Sequence, residues 1–455
     1  MSIMDFSGKH FLVIGAGISG RAASLALAGH GGSVTLNDMK AIDTAEQPWP
    51  DIAAAGVKLV FGSQETNLLD GMDVVVPSPV ISPEIPIMKE AIRRGLPIWS
   101  EVEVACRVTD ADMIGITGTN GKTTTTTLVG EIMKATGRQT VVGGNIGYGL
   151  SAQADNLPKE AVVVAELSSF QLEFTHSIKA KAATILNITP DHLDRHHTME
   201  GYAAAKERIF LNQDKGDYAV LNYDDERVRA MAVDMTGTVV YFSTCGEVPE
   251  GAFYQDGQLI LRLNGQDTVV CAETDLHLFG KHNIQNCLAA ILLTYAAGAP
   301  LDVIRQVLKD FKGVEHRLEK VRTIHGVTYY NDSKGTNVDA SMKALEAFPQ
   351  GHLILIAGGY DKKTPLDDFM ALAAKRVDTL ILIGDAAERF EAAAKKAGIQ
   401  DIRRTGYSME GAIMLARKIA KAPQAVLLSP ACSSFDMYDN FEQRGRVFKG
   451  IVNAI

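Results

Sequence analysis

The sequence predicts an α/β protein of three domains: an N-terminal Rossmann-like domain, a central P-loop ATPase-like parallel sheet with a small antiparallel flap, and a C-terminal Rossmann-like domain. Three observations carry this. Short β-branched runs alternate with longer helical patterns along most of the 455 residues, which is the mark of βαβ units. Two glycine-rich loops each follow a strand and open a helix. A chain of this length also exceeds what one hydrophobic core supports.

The runs fall into three groups. The first includes residues 10–14, 34–36 and 73–76 and ends near residue 100. The second opens at 113–116 and continues through 161–165, 182–186 and 218–221. The third holds 327–331, 352–356, 379–383 and 425–428. Domain boundaries are accordingly set at 1–100, 101–313 and 314–455. Between 239 and 270 short alternating strands are separated by Asp256-Gly257 and Asn264-Gly265, which read as hairpin turns, so this stretch is expected to be the flap.

The first glycine loop, Gly15-Ala16-Gly17-Ile18-Ser19-Gly20, is a full GxGxxG between strand and helix. Its glycines permit a tight turn, close approach of a diphosphate to backbone, and helix-on-strand packing. The helix N-terminus adds unpaired N–H groups and a positive dipole end. Asp38 ends the next strand, where a dinucleotide site places its ribose-binding carboxylate. Read alone, the loop also suits a nicotinamide-dependent oxidoreductase, or a close-packed turn with no ligand.

The second loop is more specific. Gly118-Thr119-Asn120-Gly121-Lys122-Thr123-Thr124 follows a buried strand and precedes a helix. Backbone N–H groups there can cradle phosphate oxygens, Lys122 can neutralise β- and γ-phosphates, and the Thr123 hydroxyl can reach Mg²⁺. The strict Walker pattern has glycine where this chain has Ile116, so the loop is a variant. A metal–nucleotide also needs a carboxylate at a neighbouring strand end, and Glu166 after Val162-Val163-Val164-Ala165 supplies it.

Composition narrows the classes. The net charge of −9 argues against a nucleic-acid surface, although a few lysines in a cleft still bind small anions. The five cysteines are scattered and lack a CxxC pair, as reduced thiols in a cytosol would be. The start Met1-Ser2-Ile3-Met4-Asp5 lacks the basic and apolar stretches of a signal peptide. The apolar stretch 288–301 is too short to span a membrane. A soluble, cytoplasmic protein without nucleic-acid or membrane partners is expected, with a monomer as the default.

Beyond the P-loop, several blocks in order resemble the Mur ligase family. They are Gly144-Asn145-Ile146-Gly147, Glu166-Leu167-Ser168-Ser169-Phe170-Gln171 and Asn187-Ile188-Thr189-Pro190-Asp191-His192-Leu193-Asp194. They continue with Lys206, Gly280-Lys281-His282-Asn283, Asn286 and His316-Arg317-Leu318-Glu319. The last are Asn331-Asp332-Ser333-Lys334-Gly335-Thr336-Asn337, Ser429-Pro430-Ala431-Cys432-Ser433-Ser434 and Asn440-Phe441-Glu442-Gln443-Arg444-Gly445.

The resemblance runs through all three segments, and it implies ATP-dependent ligation of D-glutamate to UDP-N-acetylmuramoyl-L-alanine through an acyl phosphate. Gly15, Gly17, Ile18, Ser19, Asp38, Met39 and Lys40 would then hold the UDP part, with Asn145 and His192 nearby. Gly118, Thr119, Asn120, Gly121, Lys122, Thr123 and Thr124 would hold ATP, helped by Asn286, Arg317 and Asp332 from the side of the third segment. Thr123, Glu166, His192 and Lys206 would surround two Mg²⁺ ions, with Lys206 carbamylated by CO₂. A carbamate offers the anionic oxygen that Mg²⁺ prefers, whereas an ammonium repels the ion. Lys334, Thr336, Lys362, Ser434 and Phe441 would take D-glutamate, with Lys363 an alternative to Lys362. Lys122, His192, Lys206 and Arg317 are the catalytic candidates; the base for the incoming amine is not identified.

Two positions depart from the family pattern. Val80 in Ser78-Pro79-Val80 stands where a glycine is common, and Lys40 where an arginine is common, which turns a bidentate phosphate grip into a point charge. Sibling ligases differ at recognisable places. The diamino-acid-adding type carries an Asp-Asn-Pro-Arg motif that is missing here, and the alanine-adding type has histidine in place of Asn120.

Overall fold

A computed structural model describes residues 4–455 except Glu46 and Phe279, with the side chains of Asp194 and Asp339 also outside the described set. The N-terminal Met1-Ser2-Ile3, read above for targeting signals, lies outside the described residues. The chain forms two compact units, residues 1–311 and 312–455. The first holds two sheets and the second holds one.

In the first sheet, β1 (His10–Ile14), β2 (Ser33–Asp38), β3 (Lys58–Phe61) and β4 (Val74–Pro77) lie parallel in the order β3-β2-β1-β4. The order reverses between β1 and β4, so the loops leaving them diverge into a crevice where ligands of such sheets bind.

The second sheet contains β5 (Asp112–Thr117), β6 (Thr140–Gly144), β7 (Val162–Glu166), β8 (Ala180–Ile185), β9 (Tyr218–Asn222) and β10 (Thr238–Ser243), all parallel. Then come β11 (Gly251–Gln255), β12 (Gln258–Leu263) and β13 (Gln266–Ala272). The nine strands run in the order β13-β12-β11-β10-β9-β8-β5-β7-β6. β7 is buried along its whole length. That suits an apolar run covered by helices on both faces, and each fully buried valine contributes roughly 1.5–3 kcal/mol.

The expected flap needs a correction. The stretch from Val239 begins with β10, which pairs parallel with β9, and β11 is parallel to β10. Only β11–β12 and β12–β13 are antiparallel, and they extend the edge of the main sheet. The hairpins do turn at Asp256-Gly257 and Asn264-Gly265, all four residues at positive φ, as two-residue hairpin loops require.

The helix Glu101–Arg107 packs into both cores of this unit, Val104 against the first sheet's core and Val102, Ala105 and Cys106 against the second's. Ser100 Oγ caps it by accepting from Glu103 N–H and also lies 3.1 Å from Thr175 Oγ1. The buried Glu103 carboxylate accepts the amide N–H groups of His176 and Ser177 at 2.6 and 2.7 Å. His30 Nε2 and Asp155 Oδ1, 2.8 Å apart, add a second tie.

The second unit carries β14 (Glu319–Ile324), β15 (Val327–Asn331), β16 (Leu353–Gly358), β17 (Thr379–Ile383), β18 (Ile402–Arg404) and β19 (Ala425–Leu428) in the order β14-β15-β19-β16-β17-β18. β14 alone is antiparallel to its neighbour. The loops leaving β15, β19 and β16 therefore emerge at one end of the sheet. No described helix is long and apolar enough to cross a membrane.

Candidate active site

The P-loop sits where β5 gives way to the helix Lys122–Ala135. Gly121, at φ +86, occupies the N-cap, and a Cβ there would come within 2.4 Å of Asn286 Oδ1. Only glycine meets both demands. The sheet order also reverses between β5 and β8, so the loop after β8 faces the P-loop. Asn187, in that loop, accepts the Asn120 N–H at 2.8 Å and donates to the Asn120 carbonyl at 3.2 Å.

Two lysine side chains converge beneath this loop. Lys122 Nζ donates to the Gly118 and Thr119 carbonyls, each at 2.8 Å. Lys206 Nζ donates to the same Gly118 carbonyl at 2.9 Å. Lys206 is 1% exposed, and its Nζ lies 4.6 Å from the Tyr202 ring centroid. Burial, reinforced by the Lys122 cation, pushes Lys206 well below the ordinary lysine range.

Glu166, at the end of β7 beside β5, is 2% exposed. Its Oε1 accepts from Asn145 Nδ2 at 3.0 Å, and its Oε2 is buried with no hydrogen-bond partner among the described residues. A buried carboxylate oxygen left this way calls for a cation or an ordered water. Thr123 stands in the first turn of the P-loop helix. His192 adopts a left-handed backbone, and its half-exposed ring packs in tilted contact against Phe170, 4.8 Å between centroids. Among the described residues no three His, Cys, Asp or Glu side chains are grouped to hold a metal ion. The unpartnered Glu166 oxygen and the Thr123 hydroxyl are the hard donors that a Mg²⁺ would find here, its other oxygens coming from phosphate and water.

At the first glycine loop, Gly17 caps the helix Ile18–Gly29 and a Cβ on it would meet nothing within 4 Å. Gly20, by contrast, lies against the Gly15 carbonyl, 1.8 Å from where a Cβ would be. Ile18 and Met39 are exposed around this rim, as are Lys40 and Val80. Asp38 has structural partners of its own: its carboxylate accepts the N–H groups of Ala16 and Lys40 at 2.8 and 2.9 Å, bracing the loop.

The expectation for Asn286 is corrected. It lies in the first unit, on the helix Lys281–Ala296, not with the third segment, and it is 4% exposed. Its Oδ1 accepts from Thr125 Oγ1 at 3.2 Å and its Nδ2 donates to Asn283 at 3.1 Å, so it braces the P-loop from behind.

In the second unit, Asp332 follows β15 and is buried, accepting from Ser429 Oγ at 2.7 Å and from the Leu318 N–H at 3.2 Å. Burial pushes its carboxyl up to about 6, with Arg317 opposing. The folded state thus favours the neutral form, and the stability this contributes is lost as pH rises through about 6. Relative to Asp332→Asn, the parent should lose about 2–3 kcal/mol between pH 4 and 7, measured by denaturant unfolding at each pH. A pH-independent difference would refute this.

Lys334, Thr336, Lys362, Ser434 and Phe441 are gathered in the same unit. Lys362 Nζ donates to the Thr336 carbonyl at 3.0 Å, and Lys334 Nζ is 5.8 Å from the Phe441 ring centroid. Lys363 turns away to Asp361 at 2.9 Å, a carboxylate also held by Arg389. The residue that sequence reasoning passed over is Arg444. It is 1% exposed and donates to Ser333 Oγ (3.0 Å), to the Ser333 carbonyl (2.8 Å), and to the Cys432 and Ser433 carbonyls (3.1 Å each). Its only signal was its place in the quoted block around Phe441.

Residues 116–294 match the Mur ligase middle domain and residues 316–432 the Mur ligase, glutamate ligase domain. A protein of Desulfitobacterium hafniense (strain Y51), named UDP-N-acetylmuramoylalanine--D-glutamate ligase, is 46% identical over 453 residues, 99% of this chain and 98% of that one. The chain belongs to the Mur ligase family. A Pelotomaculum thermopropionicum protein of the same name is 43% identical over 100% of this chain and 99% of its own. Solved Mur ligase structures share the fold. A pseudomurein peptide ligase type C from Methanothermus fervidus gives a TM-score of 0.59 at 20% identity, covering 98% of this chain and 100% of its own. The UDP-N-acetylmuramate-alanine ligase of Thermotoga maritima gives 0.58 at 19%, covering 98% and 99%.

Proposed function

We propose that this chain is a cytoplasmic ATP-dependent ligase that joins D-glutamate to UDP-N-acetylmuramoyl-L-alanine for cell-wall precursor synthesis. The observation that carries the reading is the pair Lys122 and Lys206 donating to one P-loop carbonyl, beside a buried Glu166 oxygen in need of a cation. The full-length relatives named for this reaction support the choice of substrates.

In this reading the substrate carboxylate attacks the γ-phosphorus of ATP, and the bond to the bridging oxygen of ADP breaks. The D-glutamate amine then attacks the acyl phosphate, phosphate leaves with the bonding pair, and the amine loses a proton. Both steps concentrate negative charge, so preorganised cations should dominate the rate. Lys122 and Arg317 would face phosphate oxygens, Asp332 would serve the nucleotide, and Gly17, Ile18, Ser19 and Lys40 the UDP part. Thr123, Glu166, His192 and Lys206 would hold Mg²⁺, Lys206 as a carbamate. Bound Mg²⁺ supplies charge neutralisation on the phosphates.

D-Glutamate would lie against Lys334, Thr336, Lys362, Ser434 and Phe441. Lys362→Ala should raise the KM for D-glutamate about 10- to 100-fold, the worth of one charge-assisted hydrogen bond, while Lys363→Ala should leave it within about twofold. Steady-state kinetics with varied D-glutamate decide this, and the reverse ranking would move the contact to Lys363.

The functional test is phosphate release from ATP with UDP-N-acetylmuramoyl-L-alanine, Mg²⁺ and a panel of amino acids of both hands. Release that requires D-glutamate and yields the amide supports the reading. Release with L-alanine, L-glutamate or a diamino acid instead assigns a sibling specificity, and no release with any of them overturns ligation.

A further inference from the structure

One side chain outside the proposed chemistry joins the turn after β4 to the His192 segment. Arg195, 11% exposed, belongs to the short helix Leu193–His196 that begins directly after His192. Its Nη1 donates to the Pro79 and Ile81 carbonyls at 3.1 and 3.0 Å. Its Nη2 and Nε donate to Glu173 Oε2 at 2.7 and 3.1 Å. The guanidinium lies over the Phe170 ring, 4.4 Å from its centroid, and that ring packs in tilted contact against both His192 and His196.

The turn held by Arg195 also packs into the first glycine loop. Ser78 Oγ donates to the Gly15 carbonyl at 3.1 Å, and the Ile81 N–H donates to the Ser78 carbonyl at 2.9 Å. A continuous path therefore runs from the Gly15 loop through Ser78, the Pro79 and Ile81 carbonyls and Arg195 to the ring beside His192. Only a planar, permanently charged fork can serve two carbonyls and a carboxylate while stacking on an aromatic face.

We propose that Arg195 is a positioning residue that couples the UDP-binding loop to the His192–Lys206 site. Ligand at either end fixes the same guanidinium, so each ligand binds more tightly when the other is present, by a single shared factor. This rests on the functional reading above. Contiguity alone does not establish coupling, so the coupling factor itself is the measurement.

Calorimetric titration of UDP-N-acetylmuramoyl-L-alanine, with and without Mg²⁺ plus a non-hydrolysable ATP analogue, reads that factor. The parent should bind the UDP compound about fivefold or more tightly with the metal–nucleotide present. In Arg195→Lys the factor should fall towards one, while the analogue with Mg²⁺ alone binds as in the parent. Glu173→Gln loosens the guanidinium without removing it and should lower the factor part-way; it decides the matter if Arg195→Lys does not fold. A factor near one in the parent, or one unchanged in the folded variants, overturns the inference. A parent that ligates D-glutamate yet shows no coupling overturns this inference alone, whereas a parent that ligates nothing overturns the functional reading.

Discussion

Replacing Lys206 by alanine should lower the ligation rate by about 10²–10³-fold, the scale on which removing one preorganised charge-stabilising group acts. The physical reason is its surroundings. The amine is buried beneath the P-loop, it contacts Thr117 Oγ1, the Gly118 carbonyl and the Tyr202 face, and its pKa is depressed by burial and by Lys122. An ammonium held there with Lys122 on the same carbonyl would repel Mg²⁺. A depressed pKa favours the neutral amine, the form that adds to CO₂ with formation of an N–C bond and release of a proton. Excess bicarbonate should not restore Lys206→Ala, because no amine remains. Short carboxylic acids should restore part of the rate by placing a carboxylate in the vacated space. Ligation assays of the variant with and without added acetate are the check, and full activity without additive would remove Lys206 from the metal site.

Arg444→Lys should have the largest effect on stability, about 2–4 kcal/mol of the second unit, although it keeps the charge. Arg444 reaches Ser333 on one loop and Cys432 and Ser433 on another with a single planar fork. An ammonium cannot meet those acceptors together, and the carbonyls left behind are buried. Burial lowers the guanidinium to about 10, so the native protein already tolerates a costly cation in order to fix these loops. Because Lys334 follows Ser333 and Ser434 follows Ser433, the KM for D-glutamate should rise too. Hydrogen exchange locates the effect: peptides covering 332–336 and 429–434 should exchange faster, with those of the P-loop unchanged. Protection equal to the parent's in those two loops would dismiss Arg444 as their organiser.

The local signals read well because their geometry is local. A glycine at φ +86 before a helix, a lysine following it, and a buried valine run ending in Glu166 are each fixed within a few residues. The hairpin turns at Asp256 and Asn264 were legible for the same reason. β3, β6, β14 and β18 were not. β18 has three residues, while β3, β6 and β14 are largely half-buried or exposed, so their apolar pattern is diluted. The flap was misread because β10 is joined by a short connection to the hairpin strands that follow it, while its parallel pairing depends on β9, about twenty residues earlier.

By itself, then, the sequence determined the α/β class, the two glycine loops, the strand-end carboxylate and the family blocks, since each follows from neighbours along the chain and the torsions they allow. Tertiary structure alone decided which long-range partners those groups keep. It set Lys206 and Lys122 on one carbonyl, placed Asn286 behind the P-loop, aimed Lys362 rather than Lys363 at Thr336, and gave Arg444 and Arg195 their loops. Burial and hydrogen-bond partners belong to contacts between residues tens to over a hundred positions apart, and those contacts exist only once the sheets have packed.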